Sequence, residues 1–145
     1  MIVERPASAR TATARLGDPP RRALLAVSEP QRRDALARAL VREGVGVLEV
    51  PDGLELLELL GAELGRPGGW YPQTIFVDAR LPHLDGLDAL AEVRELDTRV
   101  RAVVLATADD QEARTSARRL DADLVDLLAP PELIAARMTP RRSGA

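Results

Sequence analysis

An α/β fold, with one parallel sheet covered by helices on both faces, is predicted by three features of this sequence. Short apolar runs alternate with segments of helical periodicity along most of the chain. The central run, Ile75-Phe76-Val77, leads straight into Asp78, as expected of a strand buried on both faces. Pro82 and Asp85-Gly86 then mark a turn before the next amphipathic segment. In open sheets of this kind, ligand chemistry sits just beyond the carboxyl ends of the strands, where Asp78 would stand.

The elements follow in order. Met1 to Pro20 is rich in Ala, Arg, Ser, Thr and Pro without apolar periodicity, so an unstructured tail is expected there. It lacks the apolar stretch of a secretory signal; a transit-like segment is the alternative reading of its Arg-rich, acid-poor character. Ala23–Val27 is the first strand, and Gln31–Glu43 the first helix, with Leu36, Leu40 and Val41 at helical spacing. Val45–Val50 is the second strand. Asp52-Gly53 opens a second helix with Leu56, Leu57, Leu59, Leu60 and Leu64 toward the core. A Gly/Pro loop over residues 65–73 carries Trp70 and Tyr71, as a partner contact or as a lid on the sheet's far end. Ile75–Asp78 is the third strand and Leu87–Leu96 the third helix. Arg101–Thr107, Asp110–Leu120 and Asp123–Leu127 supply strand, helix and strand. Pro131 starts a last short helix ending near Met138. Residues 21–138 are therefore read as one folded domain and Thr139–Ala145 as a second polar tail. Right-handed crossovers between parallel strands give a doubly wound (βα)5 sheet, for which the expected order is the flavodoxin-like 2-1-3-4-5.

Composition narrows the function. The 145 residues suit a single core and leave no room for a second domain of ordinary size. With one Trp, one Tyr and one Phe, the chain offers no platform for stacking bases. A net charge of −3 gives no net attraction to nucleic acid or anionic lipid, so neither is expected as a partner. The absence of Cys excludes disulfides and thiolate metal sites and fits a cytoplasmic location. No apolar run approaches the ~20 residues that span a bilayer. All basic residues are Arg, with no Lys, a bias of coding more than of selection at single sites.

Glu29-Pro30, Asp52-Gly53, Asp78, Leu81-Pro82 through Asp85-Gly86, and Thr107-Ala108 fall in the order found in response-regulator receiver domains. The chain resembles that family from Arg22 to Met138. Its members are the aspartate-phosphorylated partners of sensor histidine kinases. The resemblance implies that Asp78 is the phosphoacceptor, a carboxylate able to attack a phosphoryl group in line. It implies that Thr107 is the hydroxyl that contacts the phosphoryl oxygen and passes the signal on. The plainer alternatives are a polar strand end and a β-branched residue finishing a strand.

Other positions depart from the family pattern. The acidic pair that would hold Mg²⁺ with Asp78 falls on Val27 and Ser28, and a valine offers no ligand. Sliding the register by one gives Ser28-Glu29 and recovers one carboxylate, making Glu29 and Asp78 the alternative metal set. The lysine ending the fifth strand falls on Leu128 or Ala129, and the aromatic switch residue on Val125. Without metal and lysine, charge on a transferring phosphoryl group has no evident stabiliser. Ser28, Glu29, Arg80, Ala108 and Asp109 border the pocket. Arg80 is expected to compensate Asp78 or Asp109, with solvated surface charges as the alternative. His83, the single histidine, is expected in an exposed loop; the pairs Arg21-Arg22, Arg32-Arg33 and Arg118-Arg119 are expected on solvated helix faces, with a basic patch as the alternative.

These departures favour a stand-alone receiver-like module with a degenerate phosphorylation pocket. It would act by protein–protein contact rather than catalysis, with no resident cofactor. Signalling proteins, including a histidine kinase, are the expected partners. Ala113, Ala117, Leu120, Leu127, Leu128 and Ile134 would give the Asp110–Met138 face an apolar character suited to a homodimer. The first alternative is a working response regulator phosphorylated on Asp78 with Mg²⁺. The second, a small nucleotide-binding module or enzyme, is disfavoured because no Gly-rich loop follows Val27.

Overall fold

The computed structural model describes residues 2–6, 21–64, 66, 68, 70–96 and 99–138. Within them the order is β1 (Val3–Arg5), β2 (Arg22–Ala26), α1 (Pro30–Arg42), β3 (Gly46–Val50), α2 (Gly53–Leu64) and β4 (Thr74–Asp78). There follow α3 (Gly86–Leu96), β5 (Arg101–Ala106), α4 (Gln111–Arg119), β6 (Asp123–Asp126), α5 (Pro131–Ala135) and a 3₁₀ turn over Ala136–Met138. The sheet runs β1-β3-β2-β4-β5-β6. From β2 onward every pairing is parallel, in the expected order of second, first, third, fourth and fifth strand.

The added strand is β1, which pairs antiparallel with β3, Val3 opposite Glu49 and Arg5 opposite Val47. The sheet is therefore mixed, and Val3–Arg5 are ordered inside the segment expected to be unstructured. Three residues are too few to carry a period-2 signal, and the side chain that ties the strand down is charged. Arg5 donates from Nε to Glu49 at 2.7 Å and from Nη2 to Asp34 at 2.8 Å. The remaining residues of the expected tails, Met1, 7–20 and 139–145, lie outside the described residues.

Alternating side chains divide the core in two. Leu24, Val50, Ile75, Val77 and Val104 face α2 and α3, where Leu56, Leu60, Leu90 and Val93 meet them. Leu25, Val47, Phe76, Val103 and Leu105 face α1 and α5, against Leu36, Leu40, Ile134 and Met138. Every residue of β4 is buried, which makes it the central strand. In α2, Leu56 and Leu60 are fully inside while Leu57 and Leu59 pack on the margin. Trp70 and Tyr71 pack against the α2/α3 side of the core, and Arg22 stacks 5.7 Å from the Trp70 ring centre. No helix among the described residues is long and apolar enough to cross a membrane.

Candidate functional site at the end of the central strand

Asp78 is the last residue of β4 and is 3% exposed. Its neighbours are set by the sheet register. Asp78 lies opposite Leu105 of β5, and the Ala79 N–H continues the ladder to the Leu105 carbonyl at 2.8 Å. On the other side Ala26 lies opposite Val77, so Val27 and Ser28, leaving β2, pass beside the carboxylate. The Ser28 N–H donates to Oδ2 of Asp78 at 3.1 Å, and its hydroxyl lies 3.4 Å from the same oxygen.

The counter-charge comes from α1. Arg32 donates from Nη2 to Oδ2 at 2.7 Å and from Nη1 to Oδ1 at 3.2 Å, a two-pronged grip on the whole carboxylate. Such planar fork-to-fork pairing is the strong form of a charge-assisted hydrogen bond. The local sequence places Arg32 there. Glu29 caps α1 by accepting from the N–H groups of Arg32 at 2.7 Å and Gln31 at 3.0 Å, and Pro30 occupies the first turn. Those N–H bonds, that of Arg32 first, hold the Glu29 carboxyl below the usual glutamate range. Arg33 turns the other way and donates from Nη1 to the carbonyl of Val27 at 2.7 Å. One arginine thus neutralises the carboxylate while the next fixes the loop that carries Ser28.

Of the other residues read from the sequence, Ser28 reaches Asp78 and the rest do not. Thr107 follows β5 and is exposed, its carbonyl accepting from the Asp110 N–H at 3.1 Å. Ala108 and Asp109 are exposed in the same turn. The expectation that Arg80 compensates Asp78 or Asp109 is not met. Arg80 instead pairs with Asp85 and Asp110, both at 3.0 Å, and with Glu112 at 3.4 Å. Asp110 is the cap of α4, and its carboxyl is held low first by the Ala113 N–H and then by Arg80. The side chain from residue 80 therefore bridges outward to α4 and leaves the pocket to α1. Being half exposed, this cluster contributes about 0–1 kcal/mol. His83 stands in the exposed loop as expected, at φ 67°.

These residues do not fit a Mg²⁺ site of the kind the family resemblance implies. The Val27 side chain has no ligand atom and its carbonyl accepts from Arg33, the Glu29 carboxylate is engaged by backbone N–H groups, and both Asp78 oxygens accept from a guanidinium. Where a lysine would reach in, Leu128 and Ala129 border a cavity of about 280 Å³. Val27, Leu36, Leu105 and Ile134 line it as well, with Arg32 at its edge.

Half of the apolar face expected over Asp110–Met138 is internal, while Leu120 and Leu127 are part-exposed and Leu128 is exposed. Ala113, Ala117 and Ile134 are buried in the core, and the exposed leucines on that side are Leu128 and Leu133. Alanines on the inner stripe of a short helix are indistinguishable from surface residues in the sequence pattern.

The residue that sequence reasoning misses is Arg32, expected on a solvated helix face and found on Asp78. A signal for it existed. A buried strand-end carboxylate that lacks metal ligands and lysine needs a cation, and the first turn of α1 opens at the same end of the sheet. Glu49, a carboxylate in the otherwise apolar run Gly46–Val50, likewise signalled the need for Arg5.

Residues 24–133 match the family model described as the response regulator receiver domain. The chain is 37% identical over 93 residues to the transcriptional regulatory protein PdtaR of Mycobacterium tuberculosis, covering 63% of this chain and 41% of that protein. The Mn²⁺-bound form of response regulator Rcp1 superposes with a TM-score of 0.71 at 18% identity, covering 87% of this chain and 99% of that one. The receiver domain of Saccharomyces cerevisiae Ssk1, solved with the histidine phosphotransfer protein Ypd1, gives 0.69 at 18% identity, with 83% and 88% covered. At such identities the likeness shows the fold. The chain spans less than half the length of the curated relatives it matches. The name of the first relative ties that protein to transcription, so the expectation of no nucleic-acid partner, drawn from net charge alone, gains no support.

Proposed function

The chain belongs to the response-regulator receiver family, and on that ground we propose that it is a receiver whose acceptor carboxylate is satisfied by Arg32 rather than by Mg²⁺ and phosphate. Receivers are signalling modules of two-component systems. In this one, signalling runs through protein–protein contacts made without an acyl phosphate. The carrying observation is the two-pronged Arg32–Asp78 pair. A carboxylate gripped on both oxygens by one guanidinium has its charge drawn off and its orientation fixed, which makes it a weaker nucleophile toward a phosphoryl group. The apolar lining at Leu128 and Ala129 leaves the transferring charge without the cation that lysine supplies. The partners are other signalling proteins, a histidine kinase among them, and on the Asp110–Met138 side the exposed Leu128 and Leu133 offer apolar side chains for a homodimer.

A second reading, phosphorylation of Asp78 with Mg²⁺ held through Glu29, is favoured by the position of Asp78 at the end of β4. The engagement of Glu29 as a helix cap weighs against it. Intact mass after incubation with acetyl phosphate and Mg²⁺, beside Asp78→Asn and a metal-free control, separates the two. No adduct is expected. One phosphoryl group, gained only with metal and absent from Asp78→Asn, would establish the second reading.

A further inference from the structure

The carboxylate of Glu49 is buried on the sheet face that α1 covers, 4% exposed, and two arginines serve it unequally. Arg5 of β1 meets it at 2.7 Å from Nε, with Nη2 at 3.4 Å from the other oxygen. Arg33 of α1 stands off, its Nε 3.8 Å from Glu49. Arg33 spends its Nη1 instead on the carbonyls of Val27 at 2.7 Å and Ser28 at 3.4 Å. That is the loop whose Ser28 N–H donates to Asp78. Arg33 therefore lies between two acceptors, a buried carboxylate and the loop.

We propose that β1 is a strap that controls the Asp78 site from the sheet edge. With the strap engaged, Arg5 satisfies Glu49 and leaves Arg33 free to hold the loop. With the strap withdrawn, Glu49 keeps Arg33, whose Nε stands 3.8 Å away, and draws it in to hydrogen-bond distance, because a close cation offsets the burial of a carboxylate better than one carbonyl contact offsets its loss. Arg33 then swings from the Val27 carbonyl to Glu49, and Ser28 loosens over Asp78. The strand suits this role. It is three residues long, pairs on one side only, and has exposed Ile2 just before it and exposed Val3 within it, so a partner able to pair with its sequence competes for it. As a regulatory device the strap rests on the reading that protein contacts, not phosphate, govern this site.

The test is amide hydrogen exchange at Ser28 in the full chain, with the Phe76 N–H in the central strand as the reference for global opening. Relative to Phe76, Arg5→Ala is expected to speed Ser28 exchange roughly fivefold or more, the worth of one net hydrogen bond. Adding Glu49→Gln removes the charge that recruits Arg33, so the Arg5→Ala/Glu49→Gln protein should return to the wild-type rate. Unchanged Ser28 exchange in Arg5→Ala, or a double variant that stays fast, overturns the proposal. If Arg5→Ala alone does not fold, Glu49→Gln with and without Arg5→Ala should show equal Ser28 rates, and unequal rates overturn it. No phosphorylation enters these readouts. A phosphoryl adduct on Asp78 would remove the proposed function and leave the strap's effect on Ser28 standing.

Discussion

Replacing Arg32 with alanine is expected to destabilise the domain by about 3 kcal/mol, measured by urea unfolding. The loss is large because Asp78 remains buried while the guanidinium that neutralises it disappears; the side chains are 26% and 4% exposed. The figure sits at the low end for broken buried pairs because solvent reaches part of Arg32. Three further variants isolate the cause. Arg32→Lys should recover only part of the stability, since an ammonium cannot grip both carboxylate oxygens at once. Asp78→Asn with Arg32 intact removes the charge and keeps an oxygen for the Ser28 N–H. The double variant Arg32→Ala/Asp78→Asn should then be more stable than Arg32→Ala alone. Such a non-additive pattern is the signature of two groups acting as one unit. Additive losses would mean that the two residues serve separate purposes.

A loss of about 3 kcal/mol or more is also expected for Gly86→Ala, for a reason of shape. Gly86 opens α3, and a Cβ built there runs into the backbone oxygen of Asp78 and lies 2.9 Å from its carbonyl carbon. Both atoms are main chain, so no side-chain rotation relieves the overlap. Either α3 or the end of β4 must shift, and the second would move Asp78 away from Ser28 and Arg32. Gly61→Ala is the control, because nothing lies within 4 Å of its Cβ position in α2. That change should stabilise by about 0.5–1 kcal/mol through helix propensity. Comparable losses at both glycines would show that α2 and α3 are less tightly seated than the packing implies.

Much of the fold could be read from the sequence because local and long-range signals agreed. Apolar runs ending at Asp78 and Ala106, helical stripes such as Leu36 and Leu40, and the Asp52 and Asp110 caps all point to the same alternation. The added strand could not be read, since Val3-Glu4-Arg5 is short and its anchor is an ion pair 44 residues away in sequence. The site divides in the same way. Asp78, Ser28 and the missing acidic pair and lysine are positions in a pattern, legible one residue at a time. Arg32 is not in that pattern. Which of several arginines answers a buried carboxylate depends on where α1 begins over the sheet and which way each side chain leaves it. Arg80, closer in sequence, was the natural candidate, but its side chain leaves the strand end toward Asp110 and Glu112.

The most direct test of Arg32 standing in place of a metal is a Mn²⁺ titration followed by amide NMR. A paramagnetic ion bound between Ser28 and Asp78 would broaden those amides before any others. The expected result is no selective broadening at these residues up to millimolar Mn²⁺, in the wild-type chain with the Arg32–Asp78 pair intact. Selective loss of the Ser28 and Asp78 signals at micromolar Mn²⁺ would contradict it and restore a metal-dependent receiver.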